Sequence, residues 1–448
     1  MNESVLADVI RPGTGRGLDF VSLDELRKRT GIMPNGALFF SMSEMLCNSL
    51  DTDAVEIYVG VEKSAGSDIL TIRDNGSKKI SENDLKLILD FNNKASSKRG
   101  FLRVSRGYLG NALKCIFGYS YALAESRKLS PPEIIVSSHG YEYRIRLRPN
   151  KVEDRIKSEI QVTKIEDSSE NSFRVAFPEP LSTNLTVLAT SYHYLLFATS
   201  MVNPRRRISF DLWGQRGSMG EALGGEELRK ETSILWYTSE NFRDLFNDYV
   251  RARPDTQLKE VISLFRGFSR KPIHRYILHD LNEAANRDCP PTAHVQFVPA
   301  TPISELTDAN ITILYHVMKN LGKTISKRSI PQVLGIVGES QFEVTKRQNG
   351  WGRLRYTCIT EKEGIAQTYP FIVELAIFDR DKTDIKGLKV YQCVNFMASI
   401  ENIFFKMFDI SHRLGRVGIT REMPVTVVAH LISPVLQWQN YGKSGLDE

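Results

Sequence analysis

Glu44, Asn48 and Asp51 are the first residues along the chain whose types and spacing could perform chemistry. They lie in a segment predicted to be helical, and at positions i, i+4 and i+7 their side chains project from one face. A glutamate can polarise a water molecule for attack on a phosphoryl group, and an amide oxygen one turn away can ligate magnesium. A solvated polar stripe explains the same spacing, and the segment by itself does not distinguish the two.

Asp74, Asn75 and Gly76 follow a predicted strand. A carboxylate held at a strand end can accept the exocyclic amino group of adenine, and a glycine two residues later lets a base approach the backbone closely. An Asn-Gly pair after a strand is also a common turn, which is the alternative here.

A glycine-punctuated loop, with Gly107 and Gly110, opens onto an apolar segment predicted to be a helix. Glycines at a helix N-terminus can present backbone N–H groups to phosphates, and Lys114 adds a cation, although it could equally be a surface lysine in a plain loop. A dinucleotide-binding fingerprint is excluded because its third glycine and preceding strand are missing, and a Walker A loop because this loop has no Gly-Lys-Ser/Thr. The candidate phosphate-binding residues are Ser105, Arg106, Gly107, Tyr108, Leu109, Gly110, Asn111, Ala112 and Lys114.

Helices and β-branched strands alternate up to about Phe210, and the short turn between EIIVSS and YEYRIRL predicts an antiparallel pair. The fold class that fits is α+β, with a mixed sheet that carries helices on one face. A helical stretch follows from Thr238 to Ala284, and further strands, which include PQVLGIV and FIVELAIF, are predicted beyond a proline-rich linker.

Composition sets broad limits on function. The chain has 448 residues, enough for two or three domains, and a net charge of +6 that permits nucleic-acid contact without requiring it. The five scattered cysteines show no metal-ligand spacing and predict reduced thiols. Neither a signal peptide nor a membrane-spanning run is found, so we expect a cytoplasmic protein without membrane contact.

Taken in order, the helix, strand-end and loop motifs resemble the signature boxes of the GHKL (Bergerat-fold) ATPase superfamily. The chain is most similar to the B subunit of DNA topoisomerase VI, a type IIB topoisomerase. The segments EMLCNSLD, SRGYLGNALK and, far downstream, VTVVAHLISP with YGKSG carry the resemblance, which runs from about Phe20 to the end.

The resemblance implies ATP and Mg²⁺ as cofactors. Glu44 would be the general base, Asn48 the magnesium ligand and Asp74 the adenine acceptor, with Asp51 and Gly76 beside the nucleotide. The loop residues would cradle the phosphates, and Ser172 stands where the family usually has a threonine. Lys443, read alone as part of a polar tail, would reach the γ-phosphate from another domain.

The resemblance also implies a domain order. It predicts a Bergerat ATPase sandwich, a small helical insert, and a transducer domain built on a second α/β sheet. The boundaries are an N-terminal arm over 1–20, the ATPase domain over 21–225, the insert and linker over 226–305, and the transducer over 306–448.

Several departures from the family pattern stand out. The second box lacks its second glycine and has Lys78 and Lys79 nearby, the third glycine of the loop is Ala112, and Cys47 replaces an acidic residue. The sequence given ends shortly after Lys443, without the long helix that in the family docks on the DNA-cleaving A subunit.

Two functions are therefore expected from the sequence. The first is the ATPase subunit of a type IIB topoisomerase, which dimerises on ATP binding and acts on duplex DNA with a separate A-like subunit. The alternative is an ATP-switched clamp or scaffold in DNA repair, recombination or defence, without strand passage. Basic segments at 204–207 and 268–271 could contact DNA phosphates or be solvated surface.

Overall fold

A computed structural model of the chain describes residues 17–64, 66–92, 101–104, 111–166, 169–178, 185–224, 232–287, 294–363, 369–380, 387–399 and 414–436. The helices are α1 (Leu23–Thr30), α2 (Ala37–Leu50), α3 (Glu82–Ile88), α4 (Ala112–Ser126), α5 (Leu185–Met201), α6 (Ser239–Ala252), α7 (Leu258–Ser263), α8 (Lys271–Asn286), α9 (Asp308–Leu321), α10 (Ile330–Leu334) and α11 (Glu339–Gln348). The strands are β1 (Glu56–Ser64), β2 (Ser67–Asp74), β3 (Ile134–Ser138), β4 (Tyr141–Asn150), β5 (Arg155–Lys164), β6 (Asn171–Pro178), β7 (Arg207–Leu212), β8 (Gln215–Met219), β9 (Leu354–Glu363), β10 (Tyr369–Asp379), β11 (Lys389–Val394), β12 (Met397–Ala398) and β13 (Val425–Ile432). Over these ranges the structure has no helix with the length and apolarity to cross a membrane.

The first sheet has eight strands in the order β5-β4-β3-β6-β2-β1-β7-β8. Its described ladders are antiparallel apart from β1 with β7, which is parallel. In β2, Leu70 and Ile72 are buried against the helices while Thr71 and Arg73 lie on the other face, as side-chain alternation requires. The predicted mixed sheet with helices on one face, and the predicted β3–β4 pair, are confirmed.

The helices α2 and α4 cover the buried face of this sheet and form the first hydrophobic core with it. Phe20, in a short 3-10 helix over Gly17–Val21, is 3% exposed and belongs to the same core. Residues 17–20 therefore pack as core, although the sequence assigned them to an arm; residues 1–16 lie outside the described ranges.

A second core contains both the helical segment and the second sheet, whose strand order is β12-β11-β13-β10-β9. The helix α9 packs on α6 and α8, and the Tyr315 hydroxyl donates to the Tyr237 carbonyl oxygen at 2.8 Å. The predicted boundary near 305 therefore falls inside one continuous core. The predicted second sheet is present.

One strand prediction is wrong: PQVLGIV does not form a strand, because Ile330–Leu334 is a helix. Pro331 occupies its first turn, where the missing N–H costs nothing, and Gly335 ends it with φ at 82°.

The helix α5 belongs to both cores. Its residues Leu195 and Leu196 are buried in the first core, whereas Ala198 and Met201 are buried in the second. The Tyr194 hydroxyl also accepts the backbone N–H of Gln392 in β11 at 3.1 Å.

The second core encloses a buried carboxylate, Glu374, with no exposed surface. Its oxygens accept hydrogen bonds from the backbone N–H groups of Gly338 (2.8 Å) and Val337 (3.1 Å), from the Tyr356 hydroxyl (2.8 Å) and from His430 Nδ1 (2.9 Å). Burial alone would raise the pKa of Glu374, but the hydrogen bonds from His430 and the two backbone amides hold it below its ordinary value. Glu374 is therefore ionised.

The same network reaches the residues just beyond α5. His430 Nε2 accepts the backbone N–H of Phe396 at 3.0 Å, which assigns His430 as the neutral tautomer protonated at Nδ1. The Phe396 carbonyl oxygen in turn accepts from Asn203 Nδ2 at 2.8 Å, just beyond α5. A chain of hydrogen bonds thus joins the centre of the second sheet to the end of the shared helix.

Candidate functional site

Nine of the predicted site residues lie within the described ranges: Glu44, Asn48, Asp51, Asp74, Gly76, Asn111, Ala112, Lys114 and Ser172. Ser105, Arg106, Gly107, Tyr108, Leu109, Gly110 and Lys443 lie outside them. The structure therefore shows the helix motif, the strand-end motif and the residues that follow the glycine loop.

The helix α2 directs Glu44 into the interior, where it is 4% exposed, while Asn48 and Asp51 are half-buried. Glu44 is close enough to Cys115 in α4 for its charge to add to the effect of burial, which raises the pKa of that thiol to about 12. A fully solvated stripe is excluded for Glu44, because glutamates are rarely buried without a specific partner. The helix motif faces the start of α4, the helix that follows the glycine loop.

Asp74 connects the helix motif to the strand-end motif. Its carboxylate accepts hydrogen bonds from Ser49 Oγ (2.7 Å) in α2, from the Gly76 backbone N–H (3.1 Å), and from Asn171 Nδ2 (3.2 Å). The side chain is 7% exposed, so this carboxylate is fixed in one orientation by three donors. Three elements that are distant in sequence meet at this residue.

The strand-end motif is not a hairpin turn. Asn75 Oδ1 accepts the backbone N–H groups of Val55 (2.9 Å) and Glu56 (3.0 Å), and the chain continues to α3 instead of pairing back on β2. A Cβ atom at Gly76 would lie 2.7 Å from Thr52 Oγ1 and 3.0 Å from Asp74 Oδ1. Only glycine fits against these neighbours.

Asn171 is the residue that the sequence reasoning missed. Its amide nitrogen donates both to Asp74 and to the Gly76 carbonyl oxygen (3.2 Å), and its Oδ1 accepts from Ser138 Oγ at 2.7 Å. The candidate from sequence was Ser172, which the register instead places beside Arg73. Because successive side chains of a strand point to opposite faces, Ser172 cannot share the face of Asp74 with Asn171.

A signal for Asn171 was present in the sequence. Val175 and Phe177 are the buried positions of β6, and Asn171 is in phase with them at a period of two, whereas Ser172 is not.

The helix α4 begins at the end of the glycine loop with Asn111 at its N-cap and Ala112 as its first residue. Asn111 is 2% exposed, and its Oδ1 is buried without a hydrogen-bond partner among the described residues. A buried amide oxygen without a partner is costly, which makes it a candidate ligand for a donor or a cation. It lies at the helix N-terminus, where the dipole favours an anion such as phosphate.

Lys114 is not a surface lysine, because it is only 1% exposed. Its Nζ donates to the Asp90 carbonyl oxygen, and burial lowers the pKa of its ammonium group to about 8, against a smaller opposing effect of the Asp90 charge. Lys114 therefore carries its charge at neutral pH and loses it in mildly alkaline solution.

The two ends of the glycine loop are anchored in different cores. Phe101, Leu102 and Val104, just before it, are buried in the second core, and the Leu102 backbone N–H donates to the Tyr237 hydroxyl at 2.8 Å. The helix α4, just after it, belongs to the first core. Residues 105–110 therefore connect a segment of the second core to a helix of the first.

The first basic segment is solvated only in part. Arg206 is 5% exposed and donates to the Thr52 carbonyl oxygen at 3.2 Å, and Arg207 forms an ion pair with Glu56 at 2.9 Å. In the second segment Phe268 is buried, whereas Arg270 and Lys271 are exposed.

No protein-family model matches the sequence, and no curated protein matches it either. Solved structures give similarities over most of the chain. The B subunit of DNA gyrase from Myxococcus xanthus aligns with 100% of this chain and 90% of its own, at 11% identity and a TM-score of 0.35. The ATPase region of Saccharomyces cerevisiae topoisomerase II bound to ICRF-187 aligns with 91% of this chain and 77% of its own, at 11% identity and a TM-score of 0.36.

The N-terminal domain of a DNA repair protein gives a TM-score of 0.40 at 11% identity, over 89% of this chain and 84% of its own. At these identities and TM-scores the similarities carry no conclusion about chemistry. Function follows from the residues of this chain.

Proposed function

We propose that the chain binds ATP with magnesium and hydrolyses it at the site formed by α2, the end of β2 and the start of α4. The observation that carries the proposal is the cluster at Asp74. There a buried carboxylate is held by donors from α2 and β6, next to a glycine whose missing side chain lets Thr52 and Asp74 pack against its backbone. A fixed carboxylate is an acceptor suited to the amino group of adenine.

Glu44 supplies the general base in this proposal. It is buried, it is carried by the same helix as Ser49, and it faces the start of α4, where phosphates would bind. The amide oxygens of Asn48 and Asn111 are hard ligands that fit magnesium, which would neutralise phosphate charge when bound. Lys114 adds a positive charge near the same helix end.

The first experiment replaces the base. Glu44→Ala should leave ATP affinity within about threefold of wild type and lower the hydrolysis rate by about 10²-fold or more, the usual contribution of a general base. Calorimetric titration with ATP and a phosphate-release assay measure the two quantities. Glu159→Ala, at an exposed position in β5, is the matched control. Hydrolysis by Glu44→Ala at the wild-type rate would remove Glu44 from this role.

At a finer level, we propose that this ATPase is a topoisomerase-VI-B-like subunit, closed as a dimeric clamp by ATP and acting on duplex DNA with a separate cleaving subunit. The alternative is a clamp without strand passage in repair, recombination or defence. Relaxation of supercoiled DNA with ATP, by the protein alone and with the product of a neighbouring gene, separates the two. Relaxation only with the neighbour selects the topoisomerase; ATPase activity without relaxation in either case selects the clamp.

A further inference from the structure

The strand β9 forms one edge of the second sheet. It pairs with β10 along its whole length, and no strand of the described ranges lies on its other side. It is ten residues long, and Ile359 at its middle is 51% exposed. A long edge strand with an exposed apolar centre is a template for pairing with another strand.

The hydrogen bonds at the start of β9 show which backbone groups are directed outward. The Asp379 backbone N–H donates to the Arg353 carbonyl oxygen at 3.0 Å, so residue 353 and the alternate residues 355, 357, 359 and 361 bond to β10. The intervening residues 356, 358 and 360 therefore direct their N–H and C=O groups toward the open edge.

The charges of β9 are self-complementary. The sequence places arginine at 353 and 355 and glutamate at 361 and 363, with Cys358 midway between the two pairs. Arg355, Thr357, Ile359 and Glu361 project from one face of the sheet. A second copy of the same strand, running antiparallel, would bring basic residues opposite acidic ones.

We propose that β9 pairs antiparallel with β9 of a second copy of this chain, centred on Cys358. Two observations select this register. A two-fold axis through a hydrogen-bonded pair requires a central residue with outward backbone groups, and Cys358 is one. The same register places Arg355 opposite Glu361 at both ends and Ile359 opposite Thr357, which joins the two five-stranded sheets into one.

The present contacts of these side chains leave the pairing available. Glu361 forms an ion pair with Lys327 at 2.6 Å, and Arg355 lies 3.9 Å from Asp379; all four side chains are partly solvated. Exposed pairs of this kind contribute little to stability and rearrange easily. The proposed association uses no residue of the nucleotide site, so it is independent of the proposed function and needs no ATP.

The test measures self-association of the nucleotide-free full chain by sedimentation equilibrium. Wild type should dimerise, and both Arg355→Glu and Glu361→Arg should raise the dimer dissociation constant at least about tenfold, because like charges then face each other twice. The double variant R355E/E361R should restore dimerisation. Lys157→Glu in β5, an edge strand of the first sheet, should have no effect.

Hydrogen exchange supplies a second readout that does not depend on the variants. Dilution of the wild type should expose the amides of residues 356, 358 and 360 and leave those of 357 and 359 protected. A wild type that stays monomeric at every concentration overturns the proposal. So does a double variant that associates no better than the single ones while retaining the wild-type melting temperature.

Discussion

At the scale of single residues, Asp74 gives the site its geometry. Two of its donors, Ser49 and Gly76, belong to the helix and strand-end motifs, and the third, Asn171, comes from a strand almost a hundred residues later. Asn171 is itself oriented by Ser138, so the carboxylate is held through two layers of hydrogen bonds. Such fixed positioning lets a carboxylate distinguish an amino group from a carbonyl group on a base.

Asn171→Ala should therefore raise the dissociation constant for ATP about tenfold, the equivalent of one lost hydrogen-bond contribution of about 1.4 kcal/mol. The neighbouring Ser172→Ala should leave ATP affinity unchanged, because that side chain is on the opposite face of β6. Titration calorimetry on both variants measures this directly. Weakening by Ser172→Ala with no effect of Asn171→Ala would restore the sequence-based assignment.

The lowered pKa of Lys114 predicts that ATP affinity depends on pH. Its pKa of about 8 means that the ammonium form dominates below that pH and disappears above it. If Lys114 supports phosphate binding, ATP affinity should fall as the pH rises from about 7.5 to 9.5. Lys114→Met should bind ATP more weakly and lose this dependence, and an unchanged slope in that variant would contradict the role.

The lowered pKa of Lys114 also makes the free energy of unfolding depend on pH. The folded-state pKa is lower than the ordinary 10.5, so the unfolded chain binds more protons between about pH 8 and 10.5. The contribution of Lys114 to the free energy of unfolding should therefore rise with pH across that window. Denaturant unfolding of wild type and Lys114→Met at several pH values measures the difference.

At the scale of elements, the sequence predicted what periodicity and local chemistry encode. The helix over Ala37–Leu50, the strand that ends at Asp74 and the helix after the glycine loop are where the pattern indicated. The prediction from sequence failed where two local signals compete. The apolar run after Pro331 resembles a buried strand, and only the proline in the first turn and the positive φ of Gly335 reveal a short helix.

Contacts between distant segments could not be predicted from one sequence. Nothing local in Asp308–Leu321 says that this helix packs on α6 and α8, and nothing in Phe101–Val104 says that these residues leave the first core for the second. Both depend on matching surfaces that are separated along the chain, as Leu102 and Tyr237 are by 135 residues. The contact between Asp74 and Asn171 could be predicted only in part. Strand alternation shows which face of β6 carries Asn171, but it does not show which strand lies beside β6.

The elements of the second core meet at Glu374, and this gives a prediction of stability. Glu374→Gln should lower the free energy of unfolding by about 3 kcal/mol, because an amide cannot accept from all four donors. In wild type the contribution is fully present above the ordinary glutamate pKa and is lost as the pH falls through the lower folded-state value. Glu159→Gln, exposed in β5, should change stability by less than about 0.5 kcal/mol in denaturant unfolding. Equal stability of Glu374→Gln and wild type would contradict the ionised network.

At the scale of the whole molecule, the proposed nucleotide site borders a loop whose flanking segments belong to different cores. The loop that would hold phosphates is anchored in the second core at Val104 and in the first at Asn111. The helix α5 also contributes buried residues to both cores. Nucleotide binding and the relative position of the two cores are therefore expected to be coupled.

Lys443 tests that expectation from the far end of the sequence. Lys443→Ala should retain ATP affinity within a few fold. It should dimerise equally with ATP and with ADP, because it lacks the proposed contact with the γ-phosphate. Light scattering with ATP, with ADP and without nucleotide measures the difference. The variant R355E provides a background in which the proposed association through β9 is weakened. If ATP promotes dimerisation equally in Lys443→Ala and its parent, the sensor role is excluded.

The shared helix α5 also has a consequence for how the protein is made. The first sheet needs residues only up to Met219, so it can close while the ribosome still holds most of the second core. The second-core end of α5, which includes Ala198, must then stay uncovered until β11 and β12, the strands on which it packs, have emerged as far as Ala398. The nascent chain therefore exposes an apolar surface of α5 while residues 220–398 are synthesised, and dependence on chaperones should be concentrated in that interval.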